Sequence, residues 1–186
     1  MRLTQDELEI IRRRAVMLHG PEAIQRALDR MAAEITSALA DTLPVVLCVL
    51  TGGIIPTGHL LTRLAFPLEI DYLHATRYRR RTSGSAVRWM SEPEISLRGR
   101  TVLIIDDILD EGYTLAGVLD FCRESGATSQ YSAVLIDKRH DRRVAGISAD
   151  FSGLEVGDHY VFGFGMDYKG YLRNLNGIFA LGSEDT

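Results

Sequence analysis

The stretch Val102-Leu103-Ile104-Ile105-Asp106-Asp107-Ile108-Leu109-Asp110-Glu111-Gly112-Tyr113-Thr114-Leu115 changes character twice in quick succession. An apolar run with no polar alternation reads as a strand buried on both faces, the kind found in a parallel sheet covered by helices. Asp106 and Asp107 close that run, and Gly112 with Thr114 opens a helix over residues 114–124 that stops at Gly126. A helix start offers free backbone N–H groups, which bind phosphate well. Carboxylates just ahead of it repel phosphate. They suit sugar hydroxyls, as hydrogen-bond acceptors, or a divalent cation. One strand-to-helix junction thus asks for a ligand with a phosphate at one end and a diol at the other, as in a sugar phosphate. The competing reading of Asp-x-Gly-x-Thr is a capped helix end near solvent. Four acidic residues between 106 and 111, directly behind an apolar strand, weigh against it, because half-buried carboxylates cost stability unless paired.

The same strand-then-polar punctuation recurs on either side. Residues 45–50, Val-Val-Leu-Cys-Val-Leu, run into Thr51, Gly52 and Gly53, and residues 131–136 run into Asp137, Lys138 and Arg139. Residues 68–74 read as a further strand, 56–64 as a helix, and 160–164 as a last core strand. Residues 141–156 read as less regular, and 167–181 as a tail. Residues 8–18 and 21–39 carry apolar side chains at helical spacing, with Pro21 suited to the first turn of the second helix; together they form a helical preface over 1–40. Residues 76–91 hold Arg77, Arg79, Arg80, Arg81 and Arg88 among Ser and Gly, a long polar loop or loosely held hairpin. The expected fold is α/β: three layers, a mostly parallel twisted sheet with helices on both faces, and its polar clusters along the carboxyl edge where ligands bind.

Composition sets outer bounds. The chain has 186 residues, 46% of them hydrophobic and 25% charged, with a formal net charge of −4. That suits a single domain over 1–186 and excludes a disordered chain or a strongly basic nucleic-acid coat. Two cysteines, Cys48 and Cys122, exclude a disulfide framework and a four-thiolate zinc site. No apolar run reaches membrane-spanning length, and residues 1–9 lack the basic-then-apolar order of a secretion signal, so a cytoplasmic protein without membrane contact is expected. Lys138 and Lys169 are the only lysines, which makes each worth explaining.

Residues 102–115 resemble the phosphoribosyl-pyrophosphate loop of the type I phosphoribosyltransferases. Other segments resemble the hypoxanthine-guanine branch of that family: Leu50-Thr51-Gly52-Gly53, Arg77-Tyr78, Asp137-Lys138-Arg139, and residues 160–168 (Tyr-Val-Phe-Gly-Phe-Gly-Met-Asp-Tyr) with Arg173. The likeness implies an enzyme that moves the 5-phosphoribosyl group from phosphoribosyl pyrophosphate to N9 of hypoxanthine or guanine, with magnesium (Mg2+) assisting and IMP or GMP as product. It implies a small hood from the N- and C-terminal segments, a lid over 76–91, a purine-binding segment over 158–181, and a homodimer or homotetramer. No nucleic-acid partner is implied.

By the same resemblance Asp106 and Asp107 hold the ribose hydroxyls, directly or through Mg2+, and Asp167 holds a second Mg2+. Asp110 stands near N7 as the general base, and Glu111, Gly112, Tyr113, Thr114 and Leu115 cradle the 5-phosphate. Leu50, Thr51 and Gly52 match the pyrophosphate loop, where some members have a cis peptide, and Arg77, Tyr78 and Arg173 match further pyrophosphate contacts. Lys138 matches the donor to the exocyclic O6, Tyr160 the aromatic that stacks on the base, and Val161 the residue whose backbone reads its edge. Three departures stand out: Asp106 replaces a more frequent Glu, Glu111 is bulkier than the usual small residue, and Arg77 stands where a Ser commonly precedes the tyrosine. Two alternatives stay open from sequence: an enzyme preferring xanthine or guanine, and a nucleic-acid-binding regulator on the same fold.

Overall fold

The computed structural model describes residues 2–77 and 87–181. Six strands form the main sheet: β2 (Val45–Leu50), β3 (Glu69–Arg77), β4 (Val87–Ser91), β5 (Thr101–Leu109), β6 (Ser129–Lys138) and β7 (Phe151–Val156). Their order is β4-β3-β2-β5-β6-β7, parallel throughout except for the antiparallel β3–β4 pair. Three helices cover it, α2 (Pro21–Leu39), α3 (Ile54–Leu61) and α4 (Tyr113–Glu124).

Alternation along the strands feeds two cores. Leu103 and Ile105 of β5 pack with Val46 of β2 and Leu135 of β6 against α2 and Leu60 of α3. Val102 and Ile104 pack with Val45, Leu47 and Val49 of β2 against Val118 and Cys122 of α4. Ile24, Leu28, Met31, Ile35 and Leu39 form the buried stripe of α2, all at 0% exposure. Burying each such side chain contributes about 1.5–3 kcal/mol, which makes α2 the main brace of one sheet face.

A second, three-stranded antiparallel sheet joins β1 (Val16–His19), β9 (Ile178–Ala180) and β8 (Val161–Phe162), in the order β1-β9-β8. It is the expected hood, built from segments near the two ends of the chain. Val161, Phe164, Met166, Ile178 and Ala180 belong to the same cluster as the α2 stripe, so the hood has no separate core.

Four sequence expectations need correction here. The first helix, α1, covers Gln5–Arg14 rather than 8–18; Ala15 turns extended and Leu18 lies in β1, whose partner β9 is far away in sequence. Residues 151–156 form the edge strand β7 instead of irregular chain. Residues 160–164 contribute only the two-residue β8, to the hood and not to the main sheet. Acidic residues do not end β5, which runs on through Asp106 and Asp107 to Leu109 because β6 keeps pairing with it as far as Leu109 opposite Asp137.

Candidate active site

The neighbouring strand β2 stops pairing with β5 at Cys48 opposite Ile105. From Asp106 onward β5 therefore has a partner on one side only, and a cleft opens where β2 turns away. The Leu50–Thr51 peptide in that turn is cis. A Cβ on Gly52 would overlap the Asp107 carboxylate, and one on Gly165 would overlap the Gly52 carbonyl oxygen. Glycine at both places lets the turn after β2, the acidic strand end and the hood loop close on one another.

The resulting cavity holds about 400 Å³. Leu50, Thr51 and Gly52 line one wall; Asp106, Asp107, Asp110, Glu111, Gly112, Tyr113, Thr114 and Leu115 line the floor; Asp167 and Arg173 reach in from the hood. Gly112 caps α4 with φ +88°, a left-handed conformation that presents the first turn of the helix to the cavity. A second cavity of about 220 Å³ adjoins it, lined by Lys138, His159, Tyr160, Val161 and Met166. Asp107, Ile108, Asp110 and Asp167 line both. Residues expected to hold a sugar phosphate thus face one cavity, those expected to hold a base face the other, and Asp110 stands at the junction.

Of the remaining expectations, Arg77 ends β3, and Tyr78 with residues 79–86 of the expected lid lies outside the described residues. Strands β3 and β4, which flank that segment, pair from His74–Ser91 to Arg77–Val87, so the hairpin reading holds at its base.

Charge is concentrated and poorly hydrated here. Burial drives the Asp106 carboxyl well above its ordinary pKa, and the adjacent Asp107 charge pushes it further. Burial also raises Asp107, although hydrogen bonding with Asp106 and the Arg173 charge pull the other way. Arg173 pairs with Asp167 at 2.7 Å and donates to the Gly165 carbonyl oxygen at 2.6 Å. The other Asp167 oxygen accepts from the Gly170 N–H at 2.6 Å. Among the described residues no cluster of three or more His, Cys, Asp or Glu side chains forms a protein-only metal site. A desolvated carboxylate pair does fit a magnesium ion that takes most of its ligands from water and substrate oxygens.

Lys138, 8% exposed at the end of β6, points its ammonium between Asp110 Oδ2 and Asp158 Oδ1, at 3.3 Å from each. Tyr160 is 46% exposed, meets the Tyr168 ring edge-on at 5.6 Å, and donates its hydroxyl to the Asp167 carbonyl oxygen at 3.3 Å. Its accessible face is free to cover a flat ligand in the smaller cavity.

Three polar residues in the site escaped the sequence reading. Arg143 donates to Asp137 Oδ1 at 2.5 Å and to the carbonyl oxygens of Lys138, Leu109 and Asp110 at 2.6, 3.2 and 3.3 Å. It staples the end of β5 to the end of β6. Asp158 takes both prongs of Arg142 at 2.7 Å, which holds its carboxyl well below the usual range. His140 bonds Asp110 at 2.6 Å. Arg143 and His140 lie in the charged run 138–143 just past a buried parallel strand, at the edge where ligands bind, but that run reads as a solvated face; Asp158, just past β7, carries no such signal.

Residues 17–169 match the model of the phosphoribosyl transferase domain family. The chain is 36% identical to the hypoxanthine-guanine phosphoribosyltransferase of Bacillus subtilis over 86% of this chain and 88% of that protein. It is 31% identical to the hypoxanthine-guanine-xanthine phosphoribosyltransferase of Tritrichomonas foetus over 86% and 87%. Its fold superposes on a hypoxanthine phosphoribosyltransferase from Staphylococcus aureus with a TM-score of 0.86 at 28% identity, over 94% of this chain and 96% of that one.

Proposed function

The chain belongs to the phosphoribosyltransferase family, and we propose that it is a purine-salvage enzyme carrying the 5-phosphoribosyl group of phosphoribosyl pyrophosphate to N9 of hypoxanthine and guanine. The observation that carries this reading is the pair of adjoining cavities sharing Asp107, Asp110 and Asp167. A phosphoribosyl donor fills the larger, a purine the smaller, and the anomeric carbon falls at their border.

In the reaction the C1–O bond to pyrophosphate breaks, the C1–N9 bond forms, and the purine loses a proton. The first turn of α4, with Thr114, holds the 5-phosphate. Asp106 and Asp107 accept from the ribose hydroxyls. The 50–52 turn and Arg173 receive the pyrophosphate, whose planar double contact with a guanidinium resists misorientation as negative charge builds on the leaving group. Asp110 takes the purine proton. Lys138 donates to O6; adenine offers an amino donor there and would leave a buried ammonium facing it, the kind of mismatch that costs several kcal/mol in discrimination.

Asp106, Asp107 and Asp167 are the residues that would hold Mg2+. When bound, the ion supplies positive charge to the pyrophosphate and the sugar hydroxyls. The chain's own residues do the rest by binding, orientation and proton acceptance.

A homo-oligomer is also proposed. Ile70 and Tyr72 of β3, Ile54 of α3 and Met90 of β4 are large apolar side chains at least half exposed or nearly so. Ile70 and Tyr72, two residues apart on β3, share one face of that strand, and an exposed apolar patch marks an interaction surface, here taken as one with another copy. Among the described residues no helix is long and apolar enough to cross a membrane, which supports a cytoplasmic site of action.

The test is nucleotide formation with phosphoribosyl pyrophosphate and Mg2+, offering hypoxanthine, guanine, xanthine and adenine in parallel. Product from hypoxanthine and guanine is expected. No product from any base would overturn the reading.

A further inference from the structure

We propose that His140 is a positioning residue for Asp110, selecting which carboxylate oxygen receives the purine proton; this rests on the assignment of Asp110 as the base. His140 Nε2 lies 2.6 Å from Asp110 Oδ1, with the imidazole only 2% exposed and Asp110 itself 45% exposed. The other ring nitrogen, Nδ1, receives the Arg142 backbone N–H at 3.0 Å. A backbone N–H only donates, so Nδ1 carries no proton, and the ring's proton sits on Nε2, directed at Oδ1. A buried ring with both nitrogens engaged pins a half-exposed carboxylate.

The other oxygen, Oδ2, faces the Lys138 ammonium at 3.3 Å. When a 6-oxopurine draws that ammonium to O6, Oδ2 becomes the open acceptor while Oδ1 stays with His140. The purine N–H bond then breaks toward Oδ2, its electron pair remains on the ring, and the proton joins Oδ2. The segment carrying His140 is itself anchored to the acidic loop, through Val144 N–H to the Glu111 carbonyl oxygen at 2.9 Å and through Arg143.

The test compares His140→Phe, which keeps a ring and removes the donor, with His140→Gln, whose Nε2 amide can reach the same oxygen, and with Asp110→Asn alone and combined with His140→Phe. For His140→Phe we expect kcat with hypoxanthine to drop roughly 10- to 100-fold while KM for phosphoribosyl pyrophosphate stays within about twofold, the pattern of a misplaced reacting group. His140→Gln should recover to within about threefold of the parent, and His140→Phe should add nothing in the Asp110→Asn background. Full turnover in His140→Phe, no recovery in His140→Gln, or an equal drop in both backgrounds would overturn the inference. Full turnover in Asp110→Asn would instead overturn Asp110 as the base. Nitrogen-15 NMR of the imidazole in the unmodified protein reads the tautomer without any variant: a proton on Nε2 is expected, and a proton on Nδ1 in its place would refute the proposal even if His140→Phe failed to fold.

Discussion

Asp106 and Asp107 illustrate a conflict between folding and function at single residues. Both carboxyls are raised above their ordinary pKa by burial; the Asp107 charge pushes Asp106 further, while hydrogen bonding with Asp106 and the Arg173 charge hold Asp107 back. Between the unfolded and folded pKa values the folded chain binds more protons than the unfolded one, so stability falls as pH rises through that window. Above it, the ligand-free protein carries the full cost of the ionised pair. Asp106→Asn should therefore raise Tm at pH 7.5 by about 2–4 °C, the shift that roughly 1 kcal/mol gives in a chain of this size, while depressing turnover. Thermal melts should show that gain shrinking as pH falls toward 4, where the parent carboxyls become protonated; a gain independent of pH would refute the argument. Such residues were legible because an acidic pair behind an apolar strand is hard to explain as mere surface. His140 was not legible, because His within Lys-Arg-His-Asp-Arg-Arg reads as solvated, and only the tertiary packing buries it to 2%.

At the scale of elements, the site depends on β5 outlasting β2 and on Arg143 holding the ends of β5 and β6 together. Arg143 is 17% exposed and its partner Asp137 10%. Arg143→Met keeps the apolar stem, leaves the Asp137 carboxylate with Arg139 alone at 3.2 Å, and removes a donor from the carbonyl oxygens of Leu109, Asp110 and Lys138. Breaking a buried pair from one side costs about 3–5 kcal/mol; with Arg139 still facing Asp137 the lower figure applies, so melts should show a Tm drop of about 6–12 °C. A Tm unchanged within error would mean water substitutes for the guanidinium. The parallel strands β2, β5 and β6 were readable as apolar runs, and so was the stripe of α2. Strand β7 was not: Phe-Ser-Gly-Leu-Glu-Val mixes burial and exposure, and its pairing with β6 comes from a partner the local pattern does not name. The overlong first helix has a similar cause, since Ala15 and Leu18 continue the helical spacing while the antiparallel pairing with β9 pulls residues 16–19 into extended chain.

Across the whole molecule, the hood closes the side proposed to bind the base by uniting distant segments, and β1 is one of its edge strands. Helix α1 buries none of its own residues. Removing residues 2–14 should leave Tm and KM for hypoxanthine close to the parent values. Removing residues 2–19, which strips β1 from β9, should raise KM for hypoxanthine about 10-fold or more as Val161 and Tyr160 lose their support. Equal behaviour of the two truncations would show that β1 has no part in shaping the base pocket. In the proposed function, one cleft at the end of β5 selects a 6-oxopurine through Lys138 and deprotonates it through Asp110. Its most direct test is the ratio of kcat/KM for hypoxanthine to that for adenine, in the parent and in Lys138→Ala. A ratio of about 10⁴ or more is expected in the parent, the discrimination available to a site built around one polar partner, with a collapse of at least about 100-fold in the variant. A ratio that survives the loss of Lys138 would contradict it.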